Sequence, residues 1–297
     1  MIDVIILYAL LATIFPLGKA SLAYVAPIFL TGARMLIGGI ILLVAQWFYD
    51  RRNFGWSKRL WWQLVVLTVF NIYLTNVLEF WGLQYLPAAK TCFIYNLSPF
   101  IAALLSYFLF NESLSRKKWL GLFIGILGFI PILVHHTVAE NAVGGFFIFS
   151  WPELAVLGAA CATVYGWIGM RQVRLDGQYG PLMANGLSML LGGLLSIATS
   201  LLLETWNPVP VVAWQPFLLY MFAMILLQNI IAYNMYGLLL KKYTATFLSF
   251  AGFVSPFFAA FYSWIYLGEV VTWHFYLSAA IVFFGLYIFY QEELSAR

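Results

Sequence analysis

Four charged side chains interrupt the long apolar runs of this sequence: Lys19, Arg34, Glu79 and Lys90. Polar residues gather at helical spacing around them. Asn71, Thr75 and Glu79 stand at i, i+4 and i+8, one stripe of a helix, with Tyr73 and Asn76 beside it. Gln228, Asn229, Tyr233 and Asn234 form a second set. Tyr95 and Asn96 precede Pro99, whose missing N–H frees a backbone carbonyl and bends a helix. Thr163, Tyr165, Trp167 and Asn185 add further polar and aromatic groups. The chemistry on offer is recognition of a small molecule by hydrogen bonds, charge and aromatic faces. Glu79 has two readings. It pairs with Lys90 or Arg34 and ties helices together, or it exchanges partners with a substrate or a proton during a working cycle. The stripes likewise read as a pocket or as hydrogen bonds between helices. Nothing points to an enzyme: there is no HExxH, GxSxG or Walker loop and no pair of intramembrane aspartates. No cofactor is implied. His135 and His136 have only Glu140 near them, too few ligands for a metal. Cys92 and Cys161 read as small buried apolar groups.

The elements that must position these residues are membrane helices. The 297 residues are 64% hydrophobic and 9% charged, with a mean hydropathy of +0.91. A soluble domain carries about 25% charged residues, so the solvent here is largely lipid. Ten runs are long enough to cross it: 2–20, 27–49, 60–81, 87–110, 118–135, 151–171, 181–203, 214–239, 243–267 and 272–290. The N-terminal run lacks a basic leader and a cleavage site and reads as the first span. The loops after spans two, four, six and eight hold eleven of the fifteen basic residues (Arg51, Arg52, Lys58, Arg59, Arg116, Lys117, Lys118, Arg171, Arg174, Lys241 and Lys242). The loops after the odd-numbered spans hold none, which predicts cytoplasmic N and C termini. The positive charge therefore sorts to one membrane face, and nucleic acid is not a partner. The expected partners are a lipid bilayer and a small-molecule substrate, with the chain a monomer or homodimer.

One sentence is written twice. Ser98–Glu112 reads SPFIAALLSYFLFNE and Ser255–Glu269 reads SPFFAAFYSWIYLGE, identical at seven of fifteen positions with an offset of 157. EFWGL at Glu79–Leu83 and NMYGL at Asn234–Leu238 extend the match. The copies fall on spans four and nine. A unit of five spans inserted twice points in opposite directions, so the fold class is all-α integral membrane with ten transmembrane helices in two inverted five-helix repeats. Residues 1–136 form the first repeat, 137–150 an outer linker and 151–297 the second repeat. Inverted repeats mark alternating-access carriers that bind substrate between the halves.

FPLGK closing span one, LTGARMLIGG in span two and two SPF-x-AA copies ending in NE or GE resemble the drug/metabolite transporter superfamily, EamA-type branch. The resemblance covers nearly the whole chain. It implies a central cavity lined by spans one, three, four, six, eight and nine, with spans five and ten peripheral. It also implies a multi-pass protein of the cytoplasmic (inner) membrane. NE stands where the family has GE, so a different turn is expected after span four. The function implied is secondary transport of an amino acid or related metabolite by alternating access. S-adenosylmethionine/S-adenosylhomocysteine exchange on the same fold is an alternative, and a channel or scramblase another. The substrate-binding residues expected are Asn71, Tyr73, Asn76, Glu79, Tyr95, Asn96, Tyr165, Trp167, Asn229, Tyr233 and Asn234. Lys19, Arg34, Glu79 and Lys90 form the charge network. Glu112 and Glu269 read as caps of the helices that follow them. Gly121, Gly125 and Gly128 form a small-residue stripe for a neighbouring span or a dimer contact.

Overall fold

In lipid every backbone N–H and C=O must be satisfied within the protein, and long apolar runs achieve this as helices. The computed structural model describes residues 2–51, 54–111, 114–176, 180–239, 242–243 and 245–295. Glu112 and Lys241 lie outside the described residues, as do the side chains of 168–176, Tyr233 and Asn234. The helices are α1 Ile2–Ser21, α2 Pro27–Tyr49, α3 Lys58–Tyr85, α4 Ala88–Leu109, α5 Arg116–Val134, α6 Trp151–Asp176, α7 Leu182–Leu203, α8 Trp214–Ala232, α9 Phe247–Leu267 and α10 Trp273–Gln291. Among the described residues nine of them, all but α6, are long and apolar enough to span a bilayer. α6 is itself a helix of 26 residues. Large apolar side chains such as Phe48, Phe108, Phe222 and Trp264 point outward, as a lipid-facing surface requires.

The segment between α5 and α6 is not a plain loop. Thr137 and Glu140 close a capping box on the short helix Val138–Val143, and a two-residue hairpin pairs β1 Gly145–Phe146 with β2 Phe149–Ser150. These two strands are the described exceptions to an all-helical fold.

Close helix approaches are made by glycine. The stripe on α5 is taken up inside the chain by α10: a Cβ on Gly121 would lie 2.5 Å from the Gly285 carbonyl, and one on Gly128 would lie 2.8 Å from the Val282 nitrogen. The dimer reading of that stripe is thereby corrected. α2 and α7 meet reciprocally. A Cβ on Gly39 would meet the Leu190 nitrogen at 2.7 Å and the Gly186 oxygen at 3.0 Å; one on Gly193 would meet the Leu36 nitrogen at 2.7 Å and the Gly32 oxygen at 3.1 Å. The residues involved come from matching stretches, GARMLIGG at 32–39 and GLSMLLGG at 186–193.

Both SPF helices break where the proline demands it. α4 loosens at Asn96 and Leu97 before Pro99, and α9 tightens into a 3₁₀ turn at Gly252–Val254 before Pro256. Their far ends also match, against the expectation from NE versus GE. Asn111 (φ 53°) and Gly268 (φ 67°) are both left-handed, and their N–H groups donate to the Ser106 and Ser263 carbonyls respectively. Asparagine tolerates this conformation better than other side chains, so it stands in for glycine. Gly268→Ala is accordingly expected to destabilise the protein by about 1–2 kcal/mol while Asn111→Gly does not, as thermal melts in detergent would show.

Candidate functional site

Arg34 is the polar centre of the bundle. It lies one-third of the way along α2 and is 2% exposed. Its guanidinium donates to the Asn76 Oδ1 on α3 and, at 3.1 Å, to the Gln228 Oε1 on α8, and it sits 4.9 Å over the Phe80 ring. A planar fork with several donors reaches two helices at once, which a point charge does not. Asn76 is held in turn by donating to the Ile72 carbonyl at 2.7 Å.

Glu79 follows Asn76 by one turn and is 7% exposed. Arg34 and Cys92 are within its electrostatic reach. Among the described residues no hydrogen-bond donor meets its carboxylate. Asn229 is also buried, and its amide nitrogen has no acceptor among the described residues. The Glu79 carboxylate and the Asn229 amide nitrogen are thus two buried polar groups of the bundle centre without a hydrogen-bond partner among the described residues, which is costly unless something else meets them.

A second polar knot joins α3, α4 and α6. Tyr95 and Thr163 share a hydrogen bond of 2.9 Å, Thr75 donates to Thr163 Oγ1 at 3.2 Å, and the Asn71 amide reaches the Thr163 carbonyl at 3.4 Å. Tyr165 packs edge-on against Phe70, 4.7 Å between ring centres. Asn71 and Asn229 each occupy the fifth position of an eight-residue π-helical stretch, Leu67–Leu74 in α3 and Ile225–Ala232 in α8. π-turns widen a helix and recur at functional sites. Hydrophobic periodicity carries no sign of them, so sequence reading missed them.

Other expected site residues lie elsewhere. The Tyr73 hydroxyl is tied to Thr199 at 2.8 Å. Asn96 donates back to the Cys92 carbonyl at 2.7 Å and mends the break in α4. Trp167 is 52% exposed and faces away from the knot, because it lies two residues from Tyr165 on a helix. Tyr233 and Asn234 follow α8 on the helix Tyr233–Leu239.

The charge network divides differently from the expectation. Lys90 pairs with Glu140 at 3.1 Å and Glu153 at 2.6 Å and donates to the His135 carbonyl, and it does not pair with Glu79. It sits in the first turn of α4, where a long side chain points back toward the helix start and the loops beyond. Lys19 is not a pocket charge either. It caps the end of α3 by donating to the Leu83, Gln84 and Leu86 carbonyls at 2.9, 3.2 and 2.6 Å, which explains why α3 runs to Tyr85 rather than 81. Glu269 accepts from the Ala88 nitrogen at 2.9 Å and so caps α4, not the helix that follows it. Burial pushes the Glu269 carboxyl above the usual range, and the Ala88 N–H, Lys19 and Ser263 draw it partway back. Glu204, unforeseen, caps α2 by accepting from the Ile28 and Phe29 nitrogens at 2.7 and 2.9 Å. A bridge between Val25 and Val211 closes the same end of the bundle.

His136, Glu140 and Glu153 bring ligand atoms within 4.8 Å of one another. The Lys90 ammonium already stands between the two carboxylates, where a metal ion would have to sit, so these residues do not fit a metal.

A bundle of helices with an apolar outer surface and a buried polar centre is a multi-span membrane protein. The chain belongs to the EamA-like transporter family, whose profile matches residues 2–134 and 150–291. It is 35% identical over 280 residues to the S-adenosylmethionine/S-adenosylhomocysteine transporter of Chlamydia muridarum, covering 94% of this chain and 87% of that protein. The transporter of the same name from Chlamydia trachomatis serovar D is also 35% identical over 280 residues, covering 94% and 85%. An uncharacterized transporter of Synechocystis is 28% identical over 292 residues, covering 93% and 84%. A solved crystal structure with a TM-score of 0.65 and 18% identity covers 99% of this chain and 98% of its own, and shares the fold. As a multi-span transporter with bacterial relatives, the protein resides in the cytoplasmic membrane.

Proposed function

We propose that this protein exchanges S-adenosylmethionine for S-adenosylhomocysteine across the cytoplasmic membrane by alternating access. The carrying observation is the 35% identity to transporters of that name along 94% of the chain. It favours this reading over the broader one of amino-acid or related metabolite transport. We read α1–α10 as ten spans in two inverted halves, 1–136 and 151–297, joined by 137–150, with both termini cytoplasmic. The reciprocal α2–α7 contact, the matched caps at Asn111 and Gly268 and the two stretches matched by the family profile support the duplication. In this orientation the end laced by Lys19, Lys90, Glu204 and Glu269 faces outward. Asn71, Asn76, Glu79, Tyr95, Tyr165 and Asn229 contribute to the substrate site, with Arg34 organising it.

The test is counterflow in proteoliposomes. Labelled S-adenosylmethionine is expected to enter faster when S-adenosylhomocysteine is loaded inside, and to saturate. Flux that neither saturates nor responds to the trans substrate would sink the exchange reading and favour a channel.

A further inference from the structure

We propose that Glu79 is the specificity residue that tells a sulfonium from a thioether. The inference rests on the exchange reading above. The two substrates share their adenosine and amino-acid parts and differ at sulfur, by one methyl and one positive charge. A buried methyl alone separates two ligands by only about fourfold. A site that must sort them strongly has to sense the charge.

Elimination points to one group. Among the described acids, Glu140 and Glu153 hold Lys90, Glu204 caps α2 and Glu269 caps α4. Asp3 lies at the start of α1 and Asp50 at the end of α2, away from the bundle centre. Glu79 alone is buried among the core helices with a carboxylate that no described donor meets. Its charged neighbour is Arg34, whose guanidinium is engaged by Asn76, Gln228 and the Phe80 face. The chemistry of the ligand fits this carboxylate. A sulfonium carries charge but no N–H, so backbone carbonyls and amides do not satisfy it through hydrogen bonds. A carboxylate with free lone pairs or an aromatic face close by stabilises such a charge without a hydrogen bond, and Glu79 offers the carboxylate. An ammonium needs several acceptors at once, and beside the buried Phe80 and Cys92 and the cationic Arg34 the Glu79 carboxylate offers one.

The experiment measures the affinities of purified wild-type protein, Glu79→Gln and Glu79→Asp for both compounds by calorimetry, with a thermal melt of each variant. Glu79→Gln is expected to weaken S-adenosylmethionine by at least about tenfold and to leave S-adenosylhomocysteine within about threefold. Equal weakening of both would overturn the proposal, because Glu79 would then hold the shared ammonium or only the fold. No change in either would overturn it as well. If Glu79→Gln fails to fold, Glu79→Asp, which keeps the charge but withdraws it, is expected to weaken S-adenosylmethionine selectively; an unselective loss there counts against the proposal. If the wild-type protein binds neither compound, the exchange reading itself fails and this inference falls with it.

Discussion

Lys90→Met is expected to destabilise the protein by about 3–5 kcal/mol, the range for removing one partner of a buried ion pair. Lys90 supplies the positive charge for two fully buried carboxylates, Glu140 and Glu153, and without it both stay in the interior with the Thr137 and Ser150 N–H groups and His136 beside them. Adding Glu153→Gln to Lys90→Met removes one of the stranded charges and is expected to recover part of the loss. The measurement is melting temperature and monodispersity in detergent for the two single variants and the double. Additive losses would show that Lys90 and Glu153 do not depend on each other. The pair also joins α4 to α6, so the variant is expected to loosen the contact between these two helices at that end of the bundle.

Arg34→Met is expected to abolish transport and to lower stability. It strands the buried Asn76 Oδ1, at about 1–3 kcal/mol for a buried acceptor left without a donor, and frees the half-buried Gln228 Oε1. Arg34→Lys keeps the charge but presents a compact ammonium that does not span α3 and α8 together. It is expected to restore most of the melting temperature and little of the transport. Counterflow and melts on the same preparations separate the two effects. Full transport by Arg34→Met would remove Arg34 from the site. The counterpart of Arg34 in the matching stretch of α7 is Ser188. The two matching stretches thus share the glycines that pack the helices and differ where a charge enters the core.

The helices were legible because a bilayer demands continuous apolar runs, and α2, α4 and α10 begin and end within a few residues of expectation. The duplication was legible at SPF-x-AA, where proline and left-handed caps impose the same residue types on both copies. The copy at 32–39 and 186–193 escaped notice, although five of its eight positions are identical. In the site, the polar stripe of α3 divides: Asn71 and Thr75 meet Thr163 on α6, while Glu79 lies beside Arg34. The partners of Lys19, Lys90 and Glu269 were not legible. Each reaches an element distant in sequence, and no local pattern says which helix end lies across from it. The π-helical stretches were hidden for a different reason. Their extra width comes from tertiary packing, and LTVFNIYL and ILLQNIIA read as ordinary apolar helix.

The reciprocal meeting of α2 and α7 has a mechanical consequence. Side chains interleaved between helices act as teeth, and one helix turns against another only by changing rotamers or opening voids. Where Gly39 and Gly193 bring backbone against backbone, there are few teeth to disengage. Such a seam serves as a bearing: it holds two rigid bodies in contact while letting them tilt about a fixed line. Threading a valine into it at Gly39 or Gly193 would jam the bearing before it touched anything that binds substrate.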